Sequence, residues 1–376
     1  MDAPGTIVAG KYELRTSFHG GMAVVWKAMM RDAAGRARAV AVKRIQRARH
    51  ADPHFVRMFE EEARVGADLH HPNLVEVLDF GLDAEGGYYL VMEWVEGLDM
   101  FQWNRAFPSR RQPPPWSLVG SVGVELCRGL AAAHGRRGVR GVPAPVIHRD
   151  VSPSNVLLGV SGSVKLTDFG LARALDRSSM TRPNVIKGKL AYCAPELTNG
   201  APPGVRSDLF SLGVVLWESL AQRRLFTGRN DLELLLAVRK GDVPRLEALR
   251  PDVPRALVEA IHQALAPDPG TRFVDALAMA QGLAQGLRTA PAGSRAALGA
   301  SVRAARVRLA APTLDGKQGG DPPRARASAI PPSIPLSVSD LEAVEGRTPP
   351  ARSRLPRAFL SSAATPLPLV SRKGVR

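Results

Sequence analysis

The stretch from His148 to Gly170 constrains this 376-residue chain more than any other. It reads His148-Arg149-Asp150-Val151-Ser152-Pro153-Ser154-Asn155, then the β-rich Val156-Leu157-Leu158, the strand Val164-Lys165-Leu166, and Asp168-Phe169-Gly170. An acid and an amide five positions apart on a loop before a strand can do two jobs. The acid can accept a proton, and the amide oxygen can hold a hard cation. Thirteen residues after Asn155, a second carboxylate stands at a strand end before a glycine, which suits Mg²⁺ coordination. Ala194-Pro195-Glu196, Ser207-Asp208 at the start of an apolar helix, and Arg272 follow in order.

The residues before this stretch divide in two. Tyr12–Phe18, Val24–Met29 and Ala39–Ile45 read as strands separated by Gly-containing turns, with further strands near Val75–Leu82 and Tyr88–Met92. One helix, from about Pro53 to Leu69, interrupts them. From Leu98 onward the pattern turns helical, as in Val119, Val122, Leu126 and Leu130. A small β-rich part followed by a larger helical part is α+β, with a hinge near Glu93–Gly97.

Two charged residues sit where apolar ones are expected. On the Pro53–Leu69 helix, Phe55, Met58, Phe59, Val65 and Leu69 share a face, and Glu62 falls in its middle. Taken alone, such a glutamate can reach out to solvent. On the preceding strand, Ala39, Ala41, Lys43 and Ile45 share a face by alternation. Lys43 and Glu62 answer each other, since a buried charge without a partner costs several kcal/mol. Upstream, Phe18-His19-Gly20-Gly21-Met22-Ala23 lies between two strands. Its backbone N–H groups could approach phosphates. Of the three glycines in a G-x-G-x-x-G pattern it keeps only Gly20, and by itself it is nearer to a plain hairpin turn.

The formal net charge of +16 invites a nucleic-acid reading, but 14 Lys/Arg against 5 Asp/Glu fall in residues 291–376. That tail is rich in Ala, Pro, Arg and Ser, and Phe359 is its only aromatic, so it offers no stacking platform for bases. It reads as a disordered linker, or as a tail on which a regulatory protein docks. Pro108–Pro115 and Arg136–Pro145 read as loops. Cys127 and Cys193 form no metal-ligand spacing and no disulfide framework. The start of the chain carries no secretory signal, and Leu209–Leu220, interrupted by Glu218, is too short for a membrane span. A cytoplasmic protein is expected.

In order, Lys43, Glu62, His148-Arg149-Asp150, Asn155, Asp168-Phe169-Gly170 and Ala194-Pro195-Glu196 resemble the signature of eukaryotic-type protein kinases, here of bacterial eukaryotic-like serine/threonine type. The resemblance covers residues 10–290, between an extension (1–9) and the tail (291–376). It implies a two-lobed α+β fold. The N-lobe, about 10–95, is β-rich with one helix, and the C-lobe, about 96–290, is helical. By the same resemblance ATP and Mg²⁺ are the cofactors and protein hydroxyls the substrate. Asp150 orients the hydroxyl and accepts its proton. Lys43 binds the α/β-phosphates and pairs with Glu62, while Asn155 and Asp168 hold Mg²⁺. Residues 18–23 cover the phosphates. Val25, Ala41 and Leu157 enclose the adenine, Met92 is the gatekeeper, and Glu93 to Val95 form the hinge that meets the adenine edge. Asp208 holds the catalytic loop, and Glu196 pairs with Arg272. His148, Phe169 and Gly170 are structural.

Pro153 before Asn155 resembles the serine/threonine members. Arg149 implies a phosphate on the activation loop, where Ser178, Ser179 and Thr181 are the candidates for autophosphorylation. There are departures from the pattern. Phe18 and Ala23 replace two glycines and stiffen the phosphate lid. Ser152 stands where a lysine is usual and Lys189 where a threonine is usual, which suggests that cation and hydroxyl have traded places beside Asp150. These departures leave a second reading, a pseudokinase acting as a scaffold.

Overall fold

The computed structural model describes residues 2–19, 23–31, 35–45, 52–107, 112–169, 190–290 and 295–311. Gly20, Gly21, Met22, Gly170, Ser178, Ser179, Thr181, Lys189 and residues 312–376 lie outside the described residues, as does the side chain of His19.

Alternation of residue type builds the first lobe. Along β4 (Ala37–Ile45), Val40 and Val42 join one buried cluster, while Ala41 and Ile45 join another. β4 is central in a sheet of β1 (Ile7–Val8), β2 (Tyr12–His19), β3 (Ala23–Arg31), β5 (Val77–Leu82) and β6 (Tyr88–Glu93). The order is β1-β2-β3-β4-β6-β5, and every neighbouring pair is antiparallel. One face buries Leu14, Trp26 and Tyr89 with Val40 and Val42. The other receives the helix α1 (Pro53–Asp68), whose Phe59 and Ala63 meet Ala41, Ile45, Leu90 and Met92.

The chain leaves β6 through Trp94, Val95 and Glu96 and enters a short strand, β7 (Gly97–Asp99), where the sequence suggested helix. Three residues are too few to show a period. Pairing with β8 (Val156–Gly159) decides the conformation, and it needs the glycine: a Cβ on Gly97 would sit 1.9 Å from the carbonyl oxygen of Leu158. Asp99 then caps α2 (Met100–Arg105), accepting the Gln102 N–H at 2.7 Å. β8 continues the sheet to β9 (Val164–Leu166).

The C-lobe is organised around α5 (Val205–Ala221), buried on all sides from Ser207 to Ala221. Leu209, Phe210, Leu212, Val214, Leu216 and Trp217 put apolar side chains on every side of it, and such a helix belongs in a core, not on a surface. α3 (Trp116–His134), α7 (Arg255–Ala264) and α8 (Ala276–Gly286) pack around it, with α4 (Pro195–Thr198) and α6 (Asp231–Lys240) at the periphery. No helix among the described residues is long and apolar enough to cross a membrane.

One expected loop carries structure. Residues 136–145 close into a small hairpin, with Gly138 N–H on the Val142 carbonyl at 2.8 Å and Ala144 N–H on the Arg136 carbonyl at 2.9 Å. The larger correction concerns the boundary placed at 290. Arg295–Ala310 form a helix, α9, and its Leu298, Val302 and Ala305 are buried in the C-lobe core. The C-lobe therefore takes in residues 295–310. The stripe at i, i+4 and i+7 is narrow, and the surrounding Ala and Arg conceal it in the sequence.

Candidate active site

The two anomalous charges meet. Lys43 Nζ lies 2.7 and 3.0 Å from the two carboxylate oxygens of Glu62, and both residues are buried. A third group joins them: Asp168 Oδ1 lies 2.7 Å from the same nitrogen. Burial works against the Lys43 ammonium, but Asp168 and Glu62 outweigh it and raise its pKa. β4 delivers Lys43, α1 delivers Glu62, and the turn after β9 delivers Asp168. One cation thus ties the first lobe to the second. The C-terminal end of α1 is held as well, because Arg136 of the hairpin donates to Asp68 at 2.5 Å.

Asp150 sits on a loop under strain. Arg149 has φ of 66° and Asp168 has φ of 64°, in the left-handed region that side chains with a Cβ avoid. Asp208, at the start of α5 and 1% exposed, stabilises the first of these. Its two oxygens accept the backbone N–H groups of His148 and Arg149, each at 2.8 Å, and one also meets His134 Nε2 at 2.8 Å. His148 is fully buried. Its Nε2 donates to the Thr167 carbonyl at 2.9 Å and its Nδ1 accepts the Asp150 N–H at 3.2 Å, which defines a neutral tautomer. Burial lowers its pKa in the same sense. Its ring stands edge-on to Phe169, centroids 4.5 Å apart, so the segments carrying Asp150 and Asp168 are packed together.

Asn155 commits its amide N–H groups to Asp150, at 2.8 Å to the carbonyl and 2.9 Å to Oδ2. Its oxygen is the atom with metal-binding chemistry. Ser152 is buried with its hydroxyl 3.2 Å from that of Ser154; Lys189, its counterpart in the expected exchange, is outside the described residues. Glu196 and Arg272 form a bidentate pair, both contacts 2.8 Å, and Arg272 also donates to the carbonyls of Arg206, Ala266 and Pro267. That pair joins α4 to the start of α5 and the turn before α8.

On the nucleotide side, Ala41 lies opposite Met92 and Val25 opposite Lys43 in the sheet registers, and the three apolar residues share one cluster. Leu157 is on β8, opposite Asp99. The Glu93 carboxylate turns to Lys165 on β9, at 2.5 Å, and accepts the Glu76 N–H at 2.9 Å. Phe18 is buried and stacks on Trp94, centroids 5.7 Å apart; Ala23 begins β3 opposite Ile45. Several residues of this region had no sequence signal of their own. Trp94, Glu96 and Lys27 form a polar cluster at the connector. Asn73 donates to the Val164 carbonyl and to Glu125, joining the end of α1 to β9 and α3. Only its place after His71-Pro72, just past a helix end, could have marked it.

A two-lobed molecule with a lysine–glutamate pair in one lobe and an acid–amide–acid set in the other is a phosphoryl-transfer architecture. The protein kinase domain model matches residues 19–281, and the chain belongs to that family. It is 40% identical over 275 residues to the tyrosine-protein kinase MasK of Myxococcus xanthus, covering 73% of this chain and 42% of MasK. It is 33% identical over 273 residues to the probable serine/threonine-protein kinase PknB of Lactococcus lactis, covering 72% and 41%. The chain thus spans about two fifths of the length of these curated relatives. The kinase domain of PknI from Mycobacterium tuberculosis superposes with a TM-score of 0.55 at 28% identity, covering 76% of this chain and 99% of that one.

Proposed function

We propose that this chain is an active protein kinase that transfers the γ-phosphoryl group of ATP to a serine or threonine hydroxyl of a protein. The observation that carries this reading is the Lys43 ammonium held at 2.7 Å by Glu62 from one lobe and by Asp168 from the other. Burying such a triad costs several kcal/mol per ion before the pairing repays it, and apolar residues of similar volume often do as well or better. A scaffold that kept only the fold would have no need of it.

The residues fit the nucleotide and a divalent cation. Asp168 and Asn155 supply two hard oxygen donors, and the rest of the shell is left to water and phosphate. That suits Mg²⁺, which keeps waters and phosphate oxygens in its shell instead of an all-protein cage. Bound Mg²⁺ neutralises charge on the phosphate oxygens. Lys43 adds a fixed positive charge for the phosphates. Val25, Ala41, Met92 and Leu157 supply apolar surface for the base, and the backbone of residues 93–95 supplies its polar edge. Asp150, oriented by Asn155 and the His148 ring, accepts the proton of the attacking hydroxyl.

Pro153 supports serine or threonine as acceptor. The identity to a protein named a tyrosine kinase supports a second reading, tyrosine, for the same chemistry. Arg149 supports autophosphorylation at Ser178, Ser179 or Thr181. One experiment addresses these points together. The purified chain is incubated with labelled ATP and Mg²⁺ beside an Asp150→Asn control, and the label is assigned by phosphoamino-acid analysis and peptide mapping. The expected result is phosphoserine and phosphothreonine between residues 171 and 190, absent from the control. Equal label in the control would overturn the assignment of Asp150, label on tyrosine alone would establish the second reading, and no label in either would leave the scaffold.

A further inference from the structure

The helix α9 lies beyond the residues that match the kinase family model, and none of the roles above uses it. It is nevertheless fastened closely to the C-lobe. A Cβ on Gly299 would sit 2.5 Å from the Val160 carbonyl oxygen, and one on Gly162 would sit 1.8 Å from the carbonyl oxygen of Arg295. Arg303 donates to the Val160 carbonyl at 2.5 Å, and the Trp103 indole donates to Ser301 Oγ at 3.1 Å. Arg308 donates to the Ala106 carbonyl at 3.3 Å and covers the Phe107 ring. These anchors sit at the end of β8 and on or just after α2, all in the C-lobe.

Arg306 reaches out of that frame. Its guanidinium lies 3.0 Å from Glu96 Oε1, in the connector between the lobes. The other Glu96 oxygen accepts from Lys27 Nζ at 3.1 Å and from the Trp94 indole at 2.8 Å. Lys27 belongs to β3 in the N-lobe and stands 5.2 Å from the centre of the Trp94 ring. That ring stacks on Phe18, the first residue of the segment read as covering the phosphates. Burial pushes the Glu96 carboxyl up, but Trp94, Lys27 and Arg306 outweigh it and hold it below the usual carboxylate range.

We propose that Arg306 is a positioning residue for nucleotide binding: by holding Glu96 it fixes Lys27 and the Trp94–Phe18 stack, and so sets how the N-lobe sits over the cleft. The inference rests on the reading that this cleft binds ATP. Packing alone does not require Arg306, because Leu298, Val302 and Ala305 already bury the helix. An exposed ion pair is worth little by itself. Here the two cations come from different lobes and share one carboxylate, so losing one loosens the other. A cleft already set in its binding geometry loses less free energy to ordering when the ligand arrives.

The test uses the full chain. Equilibrium titration with a fluorescent Mg·ATP analogue compares wild type with Arg306→Ala, Arg306→Lys, Glu96→Gln and the Arg306→Ala/Glu96→Gln double variant, and thermal melting monitors folding. Arg306→Ala should weaken nucleotide binding about fivefold to tenfold. It should leave KM for a peptide substrate unchanged, and Arg306→Lys should recover most of the loss. The double variant should bind no more weakly than Glu96→Gln alone. Nucleotide affinity equal to wild type in a folded Arg306→Ala overturns the inference, as do additive losses in the double variant. If Arg306→Ala fails to fold, Glu96→Gln decides, since wild-type affinity there has the same consequence. A chain that binds nucleotide in the expected pattern but transfers no phosphate keeps this inference and loses the kinase reading. A wild type that binds no nucleotide loses both.

Discussion

Burial pushes the Glu62 carboxyl up to about 7, with Lys43 opposing the rise and Asp168 adding to it. Its ordinary value is 4.5, so the folded chain binds a proton there that the unfolded chain lacks between about 4.5 and 7. That contribution to stability is present below 4.5 and falls as pH rises through this window. Pairing with Lys43 runs the other way, because it needs the carboxylate. At limiting ATP, kcat/KM should rise with pH through about 7. Glu62→Gln should flatten that profile and lower kcat/KM by about ten- to a hundredfold, the value of a charged hydrogen bond. A steady-state pH profile of both forms checks this. Asp208 makes a second prediction at this scale. It accepts the N–H of Arg149, whose φ is strained, and that of His148, with no solvent to substitute. Asp208→Asn presents a donor where an acceptor is needed, so urea unfolding should show a loss of about 1–3 kcal/mol. Lys43 and Glu62 were legible in the sequence because each contradicts the apolar face it occupies. Glu96 was not, because a glutamate in a connector contradicts nothing.

Among elements, the long periodic ones could be read directly and the short or weakly patterned ones could not. α1 and the strands β2, β3, β4 and β6 carry clear periods of 3.6 or 2. β7 owes its conformation to a neighbour, β8, that arrives almost sixty residues later in the chain. α9 sits between these cases. Its stripe of Leu298, Val302 and Ala305 is present but thin, and only the docking site gives it meaning. The close contact at Gly299 makes that docking testable. Gly299→Val drives a Cβ into the Val160 carbonyl oxygen, while Ala300→Val puts the same side chain on an exposed position one residue away. Overpacking of this kind costs about 1–3 kcal/mol. Calorimetry should show a Tm lower by about 2–10 °C for the first and a change of about 1 °C or less for the second.

At the scale of the molecule, the candidate catalytic groups come from separate elements that tertiary contacts bring together. Lys43 ties β4 to α1 and to the turn after β9. Asp208 ties α5 to the Asp150 loop, and Arg272 ties α4 to the turn before α8. The sequence by itself determined the class of fold and singled out the candidate groups for the reaction. Residue type and spacing fix which side chains can carry a proton, a metal or a phosphate, and they fix which segments can be strand or helix. Tertiary structure alone decided that residues 295–310 join the C-lobe, that Asp168 shares the Lys43 ammonium with Glu62, and that a helix past the family's boundary reaches the connector. Each of these is a contact between residues far apart in the chain. Whether it forms depends on shape and burial, which no local pattern of residues records.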